Sequence, residues 1–132
     1  MYRLGLIDYG MGNLHSVQQA FKRLDQPLNL VRSPNDLIGC DALVLPGVGA
    51  FDPAMENLKQ TELIPDLKEW SRNGKPLLGI CLGLQLLFES SDEGSSAGLG
   101  LLKGHVQRLP NDQGERIPHM GWALIQQQNT CP

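Results

Sequence analysis

The stretch Lys75-Pro76-Leu77-Leu78-Gly79-Ile80-Cys81-Leu82-Gly83-Leu84-Gln85 decides the fold of this chain. An apolar run of the kind found in buried strands ends at the segment Gly79-Ile80-Cys81-Leu82-Gly83, and a helical pattern begins at once after it. This order of strand, sharp turn and helix is typical of a nucleophile elbow, which lifts one side chain above a sheet. The helix N-terminus also favours a thiolate, through its dipole and its free N–H groups. The pattern predicts that Cys81 is a nucleophile, although a lone cysteine is more often a small core residue.

Short apolar runs alternate with helical patterns along most of the chain. Strands are predicted at residues 4–8, 28–31, 41–45 and 77–80, with weaker candidates at 105–109 and 122–125. Helical spacing recurs at residues 14–24, 55–58, 63–70 and 84–88, and Asn13 is a plausible N-cap for the first helix. Residues 90–100 are predicted to form a polar loop. Such alternation predicts an α/β fold with three layers, a mostly parallel sheet flanked by helices, as in flavodoxin-like proteins.

Composition narrows the class of protein. At 132 residues the chain fits one domain, residues 1–132, which is large enough to bury a substantial core. The net charge of −3 provides no basic surface for nucleic acid or for a membrane. The three cysteines, Cys40, Cys81 and Cys131, are few and far apart, which indicates reduced thiols. The start of the chain has no leader pattern. We therefore expect a cytoplasmic protein.

Glycine-bearing turns follow three of the predicted strands, at residues 10–13, 46–49 and 79–83. Sites in open α/β sheets form at the carboxyl ends of strands, so these turns are expected to meet. Acyl transfer needs donors for the oxyanion as well as a nucleophile. The Leu82 amide is the natural first donor, and the loop at 46–49 offers a second. A plain strand-to-helix connection explains that loop equally well.

A general base is harder to find. The chain has three histidines, His15, His105 and His119, and none has a carboxylate two positions later to orient its imidazole. Histidines of this kind are more often surface or hydrogen-bonded structural residues. None of the three is a credible base.

Four separate motifs together resemble one family, the class I (triad-type) glutamine amidotransferases. The residues from Gly79 to Gln85 are similar to the nucleophile motif of that family. The closest likeness is to its histidine-pathway branch, the glutaminase subunits of imidazole glycerol phosphate synthase. Three further segments carry it: Ile7-Asp8-Tyr9-Gly10-Met11-Gly12-Asn13-Leu14, Leu45-Pro46-Gly47-Val48-Gly49-Ala50-Phe51 and Ile117-Pro118-His119-Met120-Gly121-Trp122.

The resemblance implies hydrolysis of L-glutamine to glutamate and ammonia through a thioester on Cys81. The ammonia would pass to a cyclase subunit with a (β/α)8 barrel, in a heterodimer, and no metal or organic cofactor is implied. By position, the oxyanion would be held by the amides of Val48 and Leu82, and the substrate by Gly49 and Gln85. Five residues are implied at or near the partner interface: Gly10, Met11, Asn13, Met120 and Trp122.

Two departures from the family pattern matter. The His-x-Glu motif that carries the family's base does not occur, and Ala123 stands where asparagine is usual. The resemblance therefore implies the N-terminal portion of a longer domain, C-terminally truncated. We expect such a chain to present Cys81 but to turn over glutamine poorly, and to expose strand edges that favour self-association.

Other readings stay open at this stage. The chain could be another amidotransferase or hydrolase with a cysteine elbow. It could also be a module that docks on a cyclase barrel without catalysing a reaction. A nucleotide-binding role is disfavoured because Gly10-Met11-Gly12 lacks the third glycine of a dinucleotide fingerprint.

Overall fold

The computed structural model describes residues 2–114 and 116–130. Strand β1 (Leu4–Ile7) leads through helix α1 (Leu14–Lys22) to β2 (Leu28–Val31), which is followed by a short 3₁₀ turn at Pro34–Leu37. Strand β3 (Ala42–Leu45) is followed by helices α2 (Phe51–Gln60) and α3 (Ile64–Arg72). Strand β4 (Leu77–Gly79), helix α4 (Leu82–Leu86) and the two short strands β5 (Ser90–Ser91) and β6 (His105–Val106) complete the order.

The main sheet has four strands in the order β2-β1-β3-β4, and every neighbouring pair is parallel. Strands β5 and β6 form a separate parallel pair. Parallel strands need crossover connections, and α1 supplies one while α2 and α3 supply another. The prediction of an α/β fold with a mostly parallel sheet is confirmed.

Apolar side chains cover both faces of the sheet. Leu6 and Val44 face one side, where the partly buried Leu14, Val17 and Phe21 of α1 pack against them. The strand residues that alternate with these face the other side and belong to the larger core, which also contains residues of α2, α3 and α4. The buried strand residues of this larger core are Ile7, Val31, Leu43 and Leu45. Full burial of one such side chain contributes roughly 1.5–3 kcal/mol, so this two-sided pattern fixes which face each residue takes.

Local sequence explains the ends of α1. The Asn13 side chain accepts a hydrogen bond from the Ser16 amide at 3.1 Å, which confirms the predicted N-cap. After the helix, Asp25 takes a positive φ of 55°, a conformation that ends helices. Pro27 then leads into β2, which the structure places at the predicted residues.

Several predicted boundaries were wrong. Helix α4 begins at Leu82, two residues before the predicted start, because the elbow turns within one residue. Strand β6 ends at Val106 instead of residue 109, and β5 lies within the predicted loop at 90–100. Residues 122–125 form no strand, and their side chains are exposed, so their apolar pattern finds no partner strand. In the described residues, no helix is long and apolar enough to cross a membrane.

Candidate active site

Cys81 occupies a strained turn between β4 and α4. Its backbone angles are φ 56° and ψ −121°, a region that costs a non-glycine residue on the order of 1–3 kcal/mol. Hydrogen bonds hold this conformation on both sides. The Ile80 amide donates to the Leu45 carbonyl at 2.9 Å, and the Leu84 amide donates to the Cys81 carbonyl at 3.0 Å. The thiol is exposed, so Cys81 is not a packed core residue.

Glycines allow neighbouring backbone to approach this turn. A Cβ atom on Gly83 would collide with the carbonyl oxygen of Leu45, at the end of β3. A Cβ atom on Gly79 would lie 2.6 Å from the Cα atom of Leu84. Side chains at these two positions would push α4 away from the sheet, and the elbow would open.

The loop of residues 46–49 lies directly against the elbow. A Cβ atom on Gly47 would lie 2.7 Å from the Gly83 nitrogen and 2.9 Å from the Leu82 Cβ. Beyond that contact, Gly49 takes a φ of +97°, which strains other residues, and Val48 is half exposed. This loop is therefore more than a connection between β3 and α2, because it forms one wall of the turn that carries Cys81.

The turn after β1 contacts the loop of residues 46–49. The Tyr9 hydroxyl donates to the Pro46 carbonyl at 2.7 Å. A Cβ atom on Gly12 would lie 3.2 Å from the Pro46 ring, and one on Gly49 would lie 3.1 Å from the Met11 methyl group. The three glycine-bearing turns thus meet at the carboxyl edge of the sheet, as expected from their positions in the sequence.

One polar atom near the elbow has no partner. The side-chain oxygen Oε1 of Gln85 is buried and accepts no hydrogen bond within the part of the chain that the structure describes. A buried acceptor without a donor costs about 1–3 kcal/mol, so Gln85 is an unused acceptor one turn after Cys81. The Leu82 amide, at the first position of α4, is one of the N–H groups that a helix cannot satisfy internally.

Two electrostatic features belong to the site. Burial raises the pKa of Tyr9 well above its usual range, and a negative charge on Cys81 raises it further. Helix α4 has only five residues, so few aligned peptide dipoles act on a Cys81 thiolate.

The imidazole of His105 contacts two neighbouring polar side chains. One ring nitrogen lies 2.7 Å from Ser90 Oγ and the other lies 2.6 Å from Asp92 Oδ1. Among the described residues, no hydrogen bond joins an imidazole to Cys81. The sequence-based rejection of a histidine base among His15, His105 and His119 stays a prediction.

Sequence reasoning missed a contact close to the 46–49 loop. Asp52, in the first turn of α2, accepts hydrogen bonds from the Ser95 amide at 3.0 Å and the Ser96 amide at 2.9 Å. These bonds lower the pKa of Asp52. A Cβ atom on Gly94 would collide with the same carboxylate. An acidic residue in the first helical turn, followed much later by Gly-Ser-Ser, is the only sequence signal for this contact, and it is a weak one.

The proposed interface residues lie in two places. Gly10, Met11 and Asn13 belong to the turn beside Pro46, whereas Met120 and Trp122 belong to the irregular segment 107–130, whose described residues are all exposed. Trp122 is fully exposed and Met120 is 84% exposed.

A cavity of about 810 Å³ is lined by residues of the irregular segment, from Leu109 to Met120, and by no residue of the elbow. Within the described residues, no group of three or more His, Cys, Asp or Glu side chains is arranged to hold a metal ion.

Comparison with known proteins identifies the family of this chain. The model of the SNO glutamine amidotransferase family matches residues 11–117. The chain belongs to this family. A solved structure described as a glutamine amidotransferase matches 86% of the chain and 59% of its own length, with a TM-score of 0.69. Its sequence identity is 23%, so this likeness supports the fold alone.

Curated relatives of this family member are much closer in sequence. The chain is 74% identical over 130 residues to imidazole glycerol phosphate synthase subunit HisH 2 of Prochlorococcus marinus strain MIT 9313, covering 98% of the chain and 61% of the relative. It is 65% identical over 132 residues to the HisH subunit of Prochlorococcus marinus strain NATL2A, covering 100% of the chain and 63% of the relative. It is 66% identical over 129 residues to the HisH subunit of Synechococcus sp. strain CC9605, covering 98% of the chain and 61% of the relative. The chain therefore spans about three fifths of the length of these relatives.

Proposed function

We propose that this amidotransferase chain carries the nucleophile that hydrolyses L-glutamine to glutamate and ammonia. The observation that supports this best is the geometry of Cys81. Its thiol is exposed on a strained turn, and a glycine loop packs against that turn from the neighbouring strand. Strain of this kind persists where the surroundings enforce it, which is common at reactive residues.

The proposed reaction has two halves. The Cys81 thiolate attacks the side-chain carbonyl carbon of glutamine, and the carbonyl electrons move onto oxygen. When the tetrahedral intermediate collapses, the C–N bond breaks and ammonia leaves after gaining a proton, so that a thioester remains. Water then attacks the thioester, the C–S bond breaks, and glutamate and the free thiol are released.

The loop and the elbow would stabilise the first intermediate. The amides of Val48 and Leu82 would donate to the oxyanion, and Gly49 would help to place the substrate. The buried Oε1 of Gln85 supports a further role, because it is an acceptor ready for an N–H group of a ligand. Groups fixed before the substrate arrives need not reorganise during the reaction, which makes them effective.

No base is assigned to this chain. His105 is engaged by Ser90 and Asp92, and we propose that none of the three histidines accepts the thiol proton. We propose instead that a base other than these three histidines accepts the proton. Glutamine turnover without that base would be slower than with it by about 10⁴-fold or more.

We further propose which subunit receives the ammonia. The relatives are named as subunits of imidazole glycerol phosphate synthase. A corresponding role in histidine biosynthesis would have this chain pass ammonia to a cyclase subunit with a (β/α)8 barrel, as one half of a heterodimer. The partner would contact the residues named above for the interface: Gly10, Met11, Asn13, Met120 and Trp122. Exposed aromatic and methionine side chains are enriched at such contacts, which supports this assignment.

Covalent labelling tests the proposal. The probe is an L-glutamine analogue in which a chloromethyl ketone replaces the carboxamide, compared with its D-enantiomer by intact-mass spectrometry. We expect one adduct, faster labelling by the L form, and loss of the adduct in Cys81→Ala. The matched control is Cys40→Ala, since Cys40 is buried and should not affect labelling. Equal rates for the two enantiomers would contradict a glutamine site.

A docking role without catalysis is the second candidate, because Met120 and Trp122 expose large apolar area. The same experiment separates the two functions. If Cys81 does not react while the chain still binds a cyclase barrel, docking is the better description. If a peptidyl chloromethyl ketone labels Cys81 faster than the glutamine analogue, a different cysteine hydrolase is indicated.

A further inference from the structure

Tyr9 joins two of the three turns that meet at the candidate active site. The residue lies just after β1 and is 5% exposed. Its hydroxyl donates a hydrogen bond to the Pro46 carbonyl at 2.7 Å, across 37 positions of sequence. A buried tyrosine hydroxyl normally finds one partner, and here the partner is the first residue of the glycine loop.

The Pro46 carbonyl belongs to the peptide plane that enters Gly47. The next peptide plane carries the Val48 amide, which is one of the two proposed oxyanion donors. Each peptide plane is rigid, so only the two torsion angles of Gly47 separate these two planes. A fixed Pro46 carbonyl therefore limits the directions in which the Val48 amide can point.

We propose that Tyr9 is a positioning residue for the proposed oxyanion loop, because its hydroxyl holds the Pro46 carbonyl and thereby orients the Val48 amide. The inference rests on the proposed function, and it adds a residue that does not itself touch the substrate. It predicts that loss of the hydroxyl impairs reactions that pass through an oxyanion while the thiol itself remains reactive.

Two further observations agree with this role. A Cβ atom on Gly47 would lie 2.7 Å from the Tyr9 hydroxyl and 2.7 Å from the Gly83 nitrogen, so the hydroxyl lies where the loop meets the elbow. Burial moves the pKa of Tyr9 further above neutral pH, so the hydroxyl stays protonated and remains a donor. Tyr9→Phe removes only the donor and keeps the ring that fills this position.

The test compares two electrophiles on the same sulfur. The Cys81 thiolate first adds to the ketone carbonyl carbon of the L-glutamine-like chloromethyl ketone, forming a tetrahedral alkoxide. Sulfur then displaces chloride from the adjacent methylene carbon, the bond between sulfur and the former carbonyl carbon breaks as the alkoxide electrons re-form the ketone, and a thioether remains. Iodoacetamide loses iodide in a single displacement and forms no alkoxide. The ratio of the two labelling rates at Cys81 thus isolates the oxyanion contribution from thiol availability.

We expect Tyr9→Phe to lower the chloromethyl ketone rate by about tenfold and to leave the iodoacetamide rate within about twofold, a smaller loss than removal of a direct oxyanion donor. The matched control is Tyr2→Phe, because Tyr2 is 77% exposed and its variant should change neither rate. Circular dichroism checks that both variants are folded.

Each other outcome overturns the inference. If both rates fall together in Tyr9→Phe, or neither falls, the hydroxyl has only a packing role. If the unmodified chain does not prefer the L analogue over the D analogue, the proposed function itself fails, and this inference fails with it. The enantiomer comparison therefore distinguishes the two failures.

Discussion

His105 and Asp92 form a short hydrogen bond in which Nε2 of the imidazole lies 2.6 Å from Oδ1 of the carboxylate. The other ring nitrogen lies 2.7 Å from Ser90 Oγ, and the Arg108 amide donates to Asp92 Oδ2 at 2.8 Å. A single histidine thus links both sides of the β5–β6 pair. This clasp of Ser90, Asp92 and His105 lies on the segment whose next residues, Ser95 and Ser96, bind Asp52.

The clasp predicts a loss of stability in acid. The hydrogen bond from His105, followed by that from the Arg108 amide, lowers the pKa of Asp92 in the folded chain. The unfolded chain therefore binds more protons at acid pH, so Asp92 contributes stability above its ordinary pKa of about 3.9. That contribution is lost as pH falls through the lowered folded value.

We expect Asp92→Asn to lower the melting temperature at pH 6 and to have a shrinking effect as pH falls below about 4. Thermal unfolding at a series of pH values measures this difference. Asp112→Asn, which removes an exposed carboxylate from the irregular segment, is the control and should show no such trend. An effect of Asp92→Asn that is constant from pH 7 to pH 2 would show that the clasp does not depend on ionisation.

Asp52 and Gly94 should behave as one unit. A Cβ atom at position 94 would collide with the Asp52 carboxylate. The same carboxylate accepts hydrogen bonds from the amides of Ser95 and Ser96. Gly94→Ala should therefore destabilise the chain strongly when Asp52 is present and much less in the Asp52→Ala background. Urea unfolding of the four proteins measures the coupling, which contacting residues usually show and distant ones do not. Additive effects would mean that the loop accommodates the methyl group without displacing Asp52.

Gly83 should tolerate no side chain, because its missing Cβ is replaced in space by the backbone carbonyl of Leu45. Backbone cannot move aside as a flexible side chain can, so we expect Gly83→Ala to destabilise the chain by about 3 kcal/mol or to prevent folding. Gly74→Ala is the matched control. Gly74 has a φ of +68°, and among the described residues no atom beyond its chain neighbours lies within 4 Å of a Cβ built there, so its alanine variant should lose only about 1 kcal/mol in urea unfolding. Gly83 has no such left-handed φ, so a loss at Gly83 no larger than that at Gly74 would show that the Leu45 carbonyl moves aside at little cost.

Features whose cause lies in residues close together in the sequence were predictable from it. The elbow at Cys81 was found because an apolar run, two glycines and a helical pattern lie in one stretch of eleven residues. The Asn13 cap was predictable because N-caps are local, and the parallel sheet because strand and helix patterns alternate. In each case the physical cause lies within one or two elements of the chain.

Contacts between distant loops were not predictable in this way. The hydrogen bond from Tyr9 to Pro46 and the binding of Asp52 by Ser95 and Ser96 depend on how the ends of different strands converge. No periodicity encodes such a meeting. The strand predicted from the apolar pattern of residues 122–125 was wrong for a related reason. A strand forms only where the edge of another strand is available, and these residues lie exposed in solvent.

Gln85 is expected to trade stability for ligand binding. Its buried Oε1 accepts no hydrogen bond from any described residue, a state that lowers the free energy of unfolding by about 1–3 kcal/mol. Gln85→Met keeps the length of the side chain and removes the unpaired acceptor. We therefore expect this variant to be as stable as the unmodified chain, or more stable by about 1 kcal/mol, in urea unfolding. Labelling of Cys81 by the L-glutamine-like chloromethyl ketone should fall by about tenfold, because an acceptor for the substrate is lost. Gln19→Met, on the exposed surface of α1, is the control and should change neither quantity. A Gln85→Met protein that loses stability and still labels at the normal rate would show that the amide supports the fold and not the ligand.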